Sequence, residues 1–329
     1  MLRKSVSLVA TLLALSTQAS ALNIVLVNDD SYETKNIQQL KLKLETAGHN
    51  VLVSVPCAHQ SGTGGNMGSY LQAVPVHKLS ADAQGVLTID DQNGTDGYCV
   101  GDSEADKATK TFKDYKNGSP LMASAHGIFK ANETWNKNPD LVISGPNEGR
   151  NIGFSVFVSG TLGATHEAIV NNIPAIAVSA GSTPKNDAEA LSYAKLVADK
   201  VVKIVETLET TKKADEAILA PNMGLNVNLP DADVLTSQTA FKFTEVNWES
   251  GMALKWSNLG EGYGAAYGYN TSMNLYGLNF FPTSIDNTDT KSEGVVANTY
   301  IAISTIDATE NAPRAKSTHI AYRLNALVK

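Results

Sequence analysis

One stretch decides the fold of this chain, LNIVLVNDDS at residues 22–31. Its first part, Asn23–Val27, is almost entirely apolar, as expected for a central strand of a parallel sheet that helices cover on both faces. Three polar residues follow where the strand stops: Asn28, Asp29 and Asp30. In open α/β sheets ligands bind at the carboxyl ends of the strands, so this pattern predicts a binding site there.

The adjacent residues Asp29 and Asp30 place two carboxylates side by side. Like charges this close repel each other unless a cation holds them. Carboxylate oxygens are preferred ligands of hard divalent cations, so the pair predicts a site for Mg²⁺ or Mn²⁺. A second interpretation is an acidic turn that caps a helix, which is common for an Asn-Asp-Asp sequence.

The first 21 residues have the pattern of a secretory signal peptide. The sequence MLRK is basic, residues 6–15 are apolar, and Ala19-Ser20-Ala21 has the form of a cleavage site. The apolar run is too short to span a membrane. We therefore expect cleavage near Ala21, a secreted or periplasmic location, and a mature chain in which residues 22–329 form one domain.

The charge of the predicted mature chain is negative. Without Arg3 and Lys4 it has 24 basic and 33 acidic residues, a formal charge of −9. This balance argues against a nucleic-acid duplex or an anionic membrane surface as a partner. A small anionic substrate remains compatible, because a bound cation can reverse the sign of the local charge.

The chain has two cysteines, Cys57 and Cys99. An even pair in an exported protein favours a disulfide, with two buried free thiols as the alternative. Cys99 lies within residues 91–118, a polar and turn-rich stretch that we interpret as a surface insertion. We expect the disulfide to pin this insertion beside the mouth of the site.

Strands and helices alternate after residue 31, which predicts an α/β fold. A helix at residues 36–47 and a strand at 51–55 form a right-handed βαβ unit with the first strand. The further predicted elements are short antiparallel strands within 69–90, helices at 119–130, 162–171 and 187–208, and strands at 140–144, 174–179, 225–230 and 301–306. The architecture expected is a Rossmann-like three-layer sandwich with a mostly parallel central sheet.

The region at about 231–285 is aromatic and rich in glycine, and it predicts a β-hairpin arm. Its core, residues 241–281, carries so many aromatic side chains that a monomer would expose a large apolar patch. We therefore predict a homodimer or a higher homo-oligomer.

Three more polar segments follow predicted strands. They are the glycine-rich loop QSGTGG at 60–65, the loop SGPNEGRNIG at 144–153, and Ser159-Gly160-Thr161 at the start of a helix. Glycines let the backbone approach an anion closely, and N–H groups at a helix N-terminus can bind phosphate. Each segment alone is a weak signal.

Taken in order, the four segments resemble those of the SurE (survival protein E) family of metal-dependent nucleotidases and acid phosphatases. The resemblance covers nearly the whole predicted mature chain. The segments AGHNV and QSGTG are similar to those of the secreted fungal-type branch. Three positions depart from the family pattern: Ser31 replaces a glycine, Val158 replaces a tyrosine, and Met122 replaces an acidic residue.

The resemblance implies a set of site residues. The predicted metal ligands are Asp29, Asp30, Ser61 and Asn147, and either aspartate would act as the base. The residues predicted to bind substrate and phosphate are Asn28, Gly62, Asn147, Asn151, Ser159, Gly160 and Thr161.

The implied reaction is hydrolysis of a nucleoside monophosphate or another small phosphate ester by metal-activated water. A weaker hypothesis gives His59 or His166 the role of an acid. A non-catalytic exported protein that binds nucleotides or phosphate is the alternative function, because such a protein could use the same loops.

Overall fold

The fold is that of a computed structural model, which describes residues 20–68, 71, 73–111, 113–247 and 250–308. All but the last two residues of the predicted signal peptide lie outside these ranges. Within these ranges, no helix is both long enough and apolar enough to cross a bilayer.

The elements follow one another along the chain with strands and helices interleaved. The strands are β1 (Asn23–Val27), β2 (Asn50–Pro56), β3 (Val76–Ala81), β4 (Leu87–Ile89), β5 (Gly97–Val100), β6 (Leu141–Glu148), β7 (Ala175–Ala180), β8 (Met223–Asn228), β9 (Phe241–Thr244), β10 (Met252–Asn258), β11 (Tyr276–Pro282) and β12 (Ile301–Asp307). The α-helices are α1 (Lys35–Thr46), α2 (Glu104–Lys107), α3 (Pro120–Trp135), α4 (Gly160–Val170), α5 (Asp187–Thr211) and α6 (Glu293–Val296).

Among the described residues, ten strands form one sheet in the order β4-β3-β5-β2-β1-β6-β7-β8-β12-β9. The six strands from β5 to β8 in this order are parallel to their neighbours. Antiparallel pairing occurs between β8 and β12 and where β3 joins β4 and β5. The predicted α/β fold with a mostly parallel sheet is confirmed.

The strand β1 lies near the middle of this sheet and is buried on both faces. Its side chains alternate, so Ile24 and Leu26 join the core that includes residues of α1 and α5, whereas Val25 and Val27 join the core of α3 and α4. All four side chains are completely buried. Burial of each stabilises the fold by about 1.5–3 kcal/mol, which fixes β1 and the polar residues that follow it.

The prediction of a surface insertion at 91–118 is wrong for part of that stretch. The strand β5 lies within it, pairs in parallel with β2, and pairs with β3 on its other side. Cys99 is fully buried in this strand. Glycines at positions 94, 97 and 101 gave turn signals that concealed a strand of only four residues.

The predicted hairpin arm is present as the antiparallel pair β10 and β11, which forms a sheet of its own. Trp256, Tyr276 and Leu278 of this hairpin are exposed. One part of the predicted arm lies elsewhere, because β9 pairs with β12 at the edge of the central sheet. The arm therefore begins at β10, later in the chain than the predicted start at about residue 231.

The predicted disulfide is present and joins Cys57 to Cys99. Cys57 directly follows β2, and both half-cystines are buried. The bond thus ties the beginning of the loop that carries Ser61 to the neighbouring strand β5.

We expect reduction of this disulfide to lower the free energy of unfolding by about 3 kcal/mol, because the bridge closes a long loop in the unfolded chain. Urea denaturation of the oxidised and reduced protein measures the difference. If the chain hydrolyses a phosphate ester, as the resemblance implies, KM should rise more than kcat falls, since Ser61 lies four residues after Cys57. Equal stabilities in both redox states would contradict the first expectation, and an unchanged KM would contradict the second.

Candidate active site

The predicted metal ligands come from three neighbouring strands at one edge of the sheet. Asp29 and Asp30 follow β1, Ser61 lies in the loop after β2, and Asn147 lies near the carboxyl end of β6. Because these strands are parallel neighbours, their carboxyl ends meet. The structure therefore brings the four residues to one edge.

Asp30, in the loop after β1, is bonded to the loop after β2 and to the last residue of β6. Its Oδ2 accepts a hydrogen bond from the backbone N–H of Glu148 at 2.6 Å. Its Oδ1 accepts one from the Ser61 hydroxyl at 3.3 Å and lies 3.5 Å from Nδ1 of His59. The side chain of Asp30 is only 6% exposed, whereas His59 is half exposed at the mouth of the site.

Asp29 is also buried, and its Oδ1 accepts a hydrogen bond from the Thr161 hydroxyl at 2.9 Å. Burial, reinforced by the charge of Asp30, raises the pKa of Asp29 to about 7. Two buried carboxylates in sequence therefore favour a nearby cation. The His59 imidazole is one cationic group in reach, since its hydrogen bond with Asp30 raises the His59 pKa.

The residues at this edge fit a hard divalent cation. Asn147 donates its Nδ2 hydrogen to Gly149 O at 2.6 Å, but its Oδ1 is buried and has no hydrogen-bond partner. A buried amide oxygen without a partner is costly unless something binds it. In the part of the chain that the structure describes, no cluster of three or more His, Cys, Asp or Glu side chains suits a metal. The donors would be carboxylate, hydroxyl and amide oxygens, which Mg²⁺ and Mn²⁺ prefer.

Asn28 shapes the turn that presents the two aspartates. It is fully buried, its Oδ1 accepts from the backbone N–H of Asp29, and its Nδ2 donates to Ser31 O and Thr34 Oγ1. Ser31 has a φ of 66°, a left-handed conformation that a glycine adopts at less cost. The glycine of the resembling family thus suits the geometry of this turn, and Ser31 adopts the same geometry with a side chain.

The N-terminus of α4 packs directly against Asp29. A Cβ atom on Gly160 would lie 2.8 Å from Cβ and 2.9 Å from Oδ2 of Asp29, so only glycine permits this approach. Ser159 caps the helix by accepting a hydrogen bond from the N–H of Leu162. The first N–H groups of a helix have no partners within the helix, and here they lie beside the acidic pair.

Asn151, predicted to bind phosphate, lies beside Thr161 and Ser179. Its Nδ2 donates to Ser179 Oγ at 2.8 Å and to Thr161 Oγ1 at 3.2 Å. Both amide hydrogens are thus directed to protein atoms, and the Thr161 hydroxyl hydrogen is directed to Asp29. In this structure the two side chains hold Asp29 in place.

The loop that carries Ser61 is held from the segment after β5. The backbone N–H of His59 donates to Glu104 Oε1 at 2.9 Å, and Gln60 Nε2 donates to Asn117 Oδ1 at 3.1 Å. Gly62 has a φ of 79° and is exposed, so it turns the chain at the rim of the site. The predicted position of this segment beside the site is thus consistent with its contacts.

Several residues that contact the site were not assigned a role from the sequence. Asn228 accepts from the backbone N–H of Asn151, while Asn226 donates to the carbonyl oxygen of Asn151. The sequence held a signal for these two residues, since they interrupt an otherwise apolar strand at alternate positions. No comparable signal in the sequence marked Ser179, which accepts from Asn151, or Glu293, which accepts from Asn226.

A groove of about 1010 Å³ runs along α4 and meets the site at Ser159. Its walls include Leu121, Phe157 and Met223, and it extends past His166 to the end of β12. Neither aspartate lines the groove. Of the two histidines considered as an acid, His166 lines the groove and His59 lies next to Asp30.

The fold and this site define an α/β protein with an oxygen-lined acidic centre at the carboxyl edge of its sheet. A family model described as Survival protein SurE matches residues 24–251, well over half of the chain. The chain belongs to the SurE family, which confirms the resemblance found in the sequence.

Individual relatives and a solved structure agree with this assignment. The chain is 32% identical over 219 residues to an acid phosphatase of Yarrowia lipolytica and 30% identical over 210 residues to the 5'-nucleotidase SurE of Trichodesmium erythraeum. Each alignment covers 64% of this chain, but only 57% and 63% of the respective relative. The chain therefore matches less than two thirds of the length of either protein.

The crystal structure of the SurE protein from Aquifex aeolicus has the same fold. The superposition has a TM-score of 0.62 at 20% sequence identity and covers 91% of this chain and 98% of the other.

We expect Asp30→Asn to weaken Mn²⁺ binding by more than about 100-fold, since loss of a ligand should exceed the 10–100-fold effect of losing an outer partner. Isothermal titration calorimetry of the purified protein measures this. Asp140→Asn is the matched control, because Asp140 precedes β6 at the opposite edge of the sheet, where it accepts from the N–H of Asn23. Equal Mn²⁺ affinity of the two variants would contradict the metal assignment.

Proposed function

We propose that the chain is an exported, metal-dependent phosphomonoesterase that hydrolyses nucleoside monophosphates or other small phosphate esters. The observation that carries the proposal is the meeting of two buried carboxylates with the unpartnered Oδ1 of Asn147 beside a helix N-terminus. The names of two relatives, an acid phosphatase and a 5'-nucleotidase, support the same reaction class.

In the proposed enzyme, Asp29, Asp30, Ser61 and Asn147 hold a Mg²⁺ or Mn²⁺ ion. When bound, the ion polarises the phosphoryl group and lowers the pKa of an attacking water. Phosphoryl transfer depends mainly on such charge neutralisation and on positioning. Asp29 and Asp30 are the two candidates for the group that accepts a proton from the water.

The chain's own residues position the phosphoryl group at the start of α4. The N–H groups of Gly160 and Thr161 precede the first bonded turn of the helix, and the positive end of the helix dipole favours an anion there. Ser159 accepts from the N–H of Leu162, so its own hydroxyl hydrogen can point to a phosphoryl oxygen. Asn151 donates a hydrogen bond to Thr161, which in turn donates to Asp29, and so fixes both side chains beside the start of α4.

We expect hydrolysis of nucleoside 5'- and 3'-monophosphates and of a chromogenic phosphate ester in the presence of Mg²⁺ or Mn²⁺. Excess chelator should abolish the activity, and added metal should restore it. Asp29→Asn and Asp30→Asn should each lower kcat by about 100-fold or more, because each removes charge that stabilises the transition state through the bound ion. Asp140→Asn is again the control.

The release of inorganic phosphate measures this activity. Binding of a nucleotide without phosphate release, with or without metal, would favour the non-catalytic binding protein instead. Near-normal turnover by Asp30→Asn would contradict the proposed role of the acidic pair.

We propose a secreted or periplasmic location on the basis of the predicted signal peptide at residues 1–21. The Cys57–Cys99 disulfide supports this proposal, because disulfides persist in oxidising compartments.

We further propose that the protein forms a homodimer or a higher homo-oligomer through the hairpin of β10 and β11. Trp256 is 71% exposed and Leu278 is 64% exposed, and the register pairs them across the two strands. A paired, exposed apolar surface of this kind is typical of an interaction site.

We expect sedimentation velocity at micromolar concentration to give at least the mass of a dimer. Trp256→Ser with Leu278→Ser should shift the protein towards monomer, because both substitutions remove apolar area from the hairpin. Phe129→Ser is a matched control, since Phe129 is an exposed aromatic residue on α3. A monomeric wild type would contradict the proposal.

A further inference from the structure

Glu293 is a buried acidic residue at the start of α6, far in sequence from the proposed ligands. It has no solvent exposure. Its Oε1 accepts a hydrogen bond from the backbone N–H of Gly153 at 3.1 Å. Its Oε2 accepts from Asn226 Nδ2 at 3.0 Å and from the Ser304 hydroxyl at 3.0 Å.

The neighbours of Glu293 are neutral. Its hydrogen-bond donors are a side-chain amide, a hydroxyl and a backbone N–H. In the described part of the chain, no ion pair joins Glu293 to a lysine or an arginine. Burial raises the pKa of Glu293 to about 7. Burial of a carboxylate without a cation lowers the stability of the fold, and an apolar side chain of similar volume would lower it less.

The hydrogen bonds of Glu293 converge on the loop that carries Asn151. Asn226 Nδ2 donates to Asn151 O at 3.0 Å while also donating to Glu293. Gly153, which donates directly to Glu293, lies two residues after Asn151. The carboxylate therefore holds this loop directly at Gly153 and through Asn226 at Asn151.

The same network continues to the acidic pair. Asn151 Nδ2 donates to Thr161 Oγ1 at 3.2 Å, and Thr161 Oγ1 donates to Asp29 Oδ1 at 2.9 Å. Each of these side chains is buried, so water does not readily replace a missing partner. Buried hydrogen bonds thus connect Glu293 to Asp29 through Asn226, Asn151 and Thr161.

We propose that Glu293 is a positioning residue for the catalytic centre, which acts by orienting the Asn226 amide and the Asn151 loop. The inference rests on the proposed phosphomonoesterase function, because it assigns Glu293 a role in that centre. Nothing in it requires Glu293 to contact substrate or metal.

The geometry predicts how Glu293→Gln would act. A glutamine presents one oxygen and one NH₂ group, so it cannot accept from both Gly153 and Asn226. If its oxygen stays on the N–H of Gly153, its NH₂ group faces the NH₂ group of Asn226, and two donors then oppose each other. Rotation of the Asn226 amide removes this opposition of donors, but it turns the Asn226 Oδ1, which is buried without a partner, towards Asn151 O. That rotation removes the hydrogen bond from Asn226 to Asn151 O.

The test compares Glu293→Gln with wild type and with Glu209→Gln. Glu209 is a matched control, because it is a buried glutamate on α5 whose partner at 3.7 Å is Lys212. For each protein we measure kcat and KM with a chromogenic phosphate ester, the Mn²⁺ affinity by calorimetry, and the melting temperature. A further pair, Asn226→Ala with and without Glu293→Gln, completes a double-mutant cycle.

We expect Glu293→Gln to lower kcat by about tenfold and to weaken Mn²⁺ binding by about tenfold, as for the loss of an outer partner of a ligand. KM should change by less than kcat, and Glu209→Gln should behave as wild type. In the Asn226→Ala background, Glu293→Gln should have little further effect on kcat, because its action passes through Asn226.

A variant Glu293→Gln with the kcat and Mn²⁺ affinity of wild type would overturn the inference, whatever its melting temperature. Full additivity in the double-mutant cycle would also overturn it. If Glu293→Gln does not fold, Asn226→Ala carries the test, and its wild-type kcat and Mn²⁺ affinity would overturn the inference.

The failure of the proposed function has a separate signature. A wild type that binds Mn²⁺ but releases no phosphate would contradict the phosphomonoesterase proposal. In that case the Mn²⁺ affinity alone decides the role of Glu293: a tenfold loss in Glu293→Gln supports it, and an unchanged affinity overturns it.

Discussion

Electrostatic repulsion between Asp29 and Asp30 is the constraint on which the rest of the site depends. The two carboxylates are buried at the end of β1, a strand packed on both faces. Burial and the neighbouring charge of Asp30 both favour the neutral form of Asp29 and raise its pKa to about 7. The surrounding loops supply hydrogen-bond donors to both acids and a buried, unpartnered oxygen at Asn147. A site with this composition is suited to a cation.

The two acids receive their support from different parts of the fold. Asp30 receives its hydrogen bonds from the loop after β2 and from the last residue of β6, and the disulfide and Glu104 hold that loop. Asp29 is instead supported through Thr161 and Asn151, and ultimately from the last elements of the sheet. Reduction of the disulfide and substitution of Glu293 thus act on different carboxylates, and their effects should be separable.

Most of the α/β framework could be predicted because strands buried on both faces leave long apolar runs, and helices leave a clear periodicity. The order of the chain also located the site, since Asp29 and Asp30 follow such a run directly. The strand β5 was missed because four residues between glycines carry too little pattern. Phe241 was placed in the arm because an edge strand such as β9 has the same aromatic composition. The contacts of Glu293 include Gly153, 140 positions away in the sequence, and Asn226, 67 positions away, and no local pattern records them.

The position of β12 between β8 and β9 has a consequence for how the protein is made. During synthesis Asp29 and Asp30 leave the ribosome first, whereas Glu293 and β12 leave it near the end. Until β12 pairs with β8, the Asn226 amide lacks its partner from α6. The acidic pair is therefore synthesised early, but the support of Asp29 is completed only when nearly the whole chain is available for folding. A nascent chain stalled before α6 would contain every proposed metal ligand and still lack Glu293, the last part of the network that leads to Asp29.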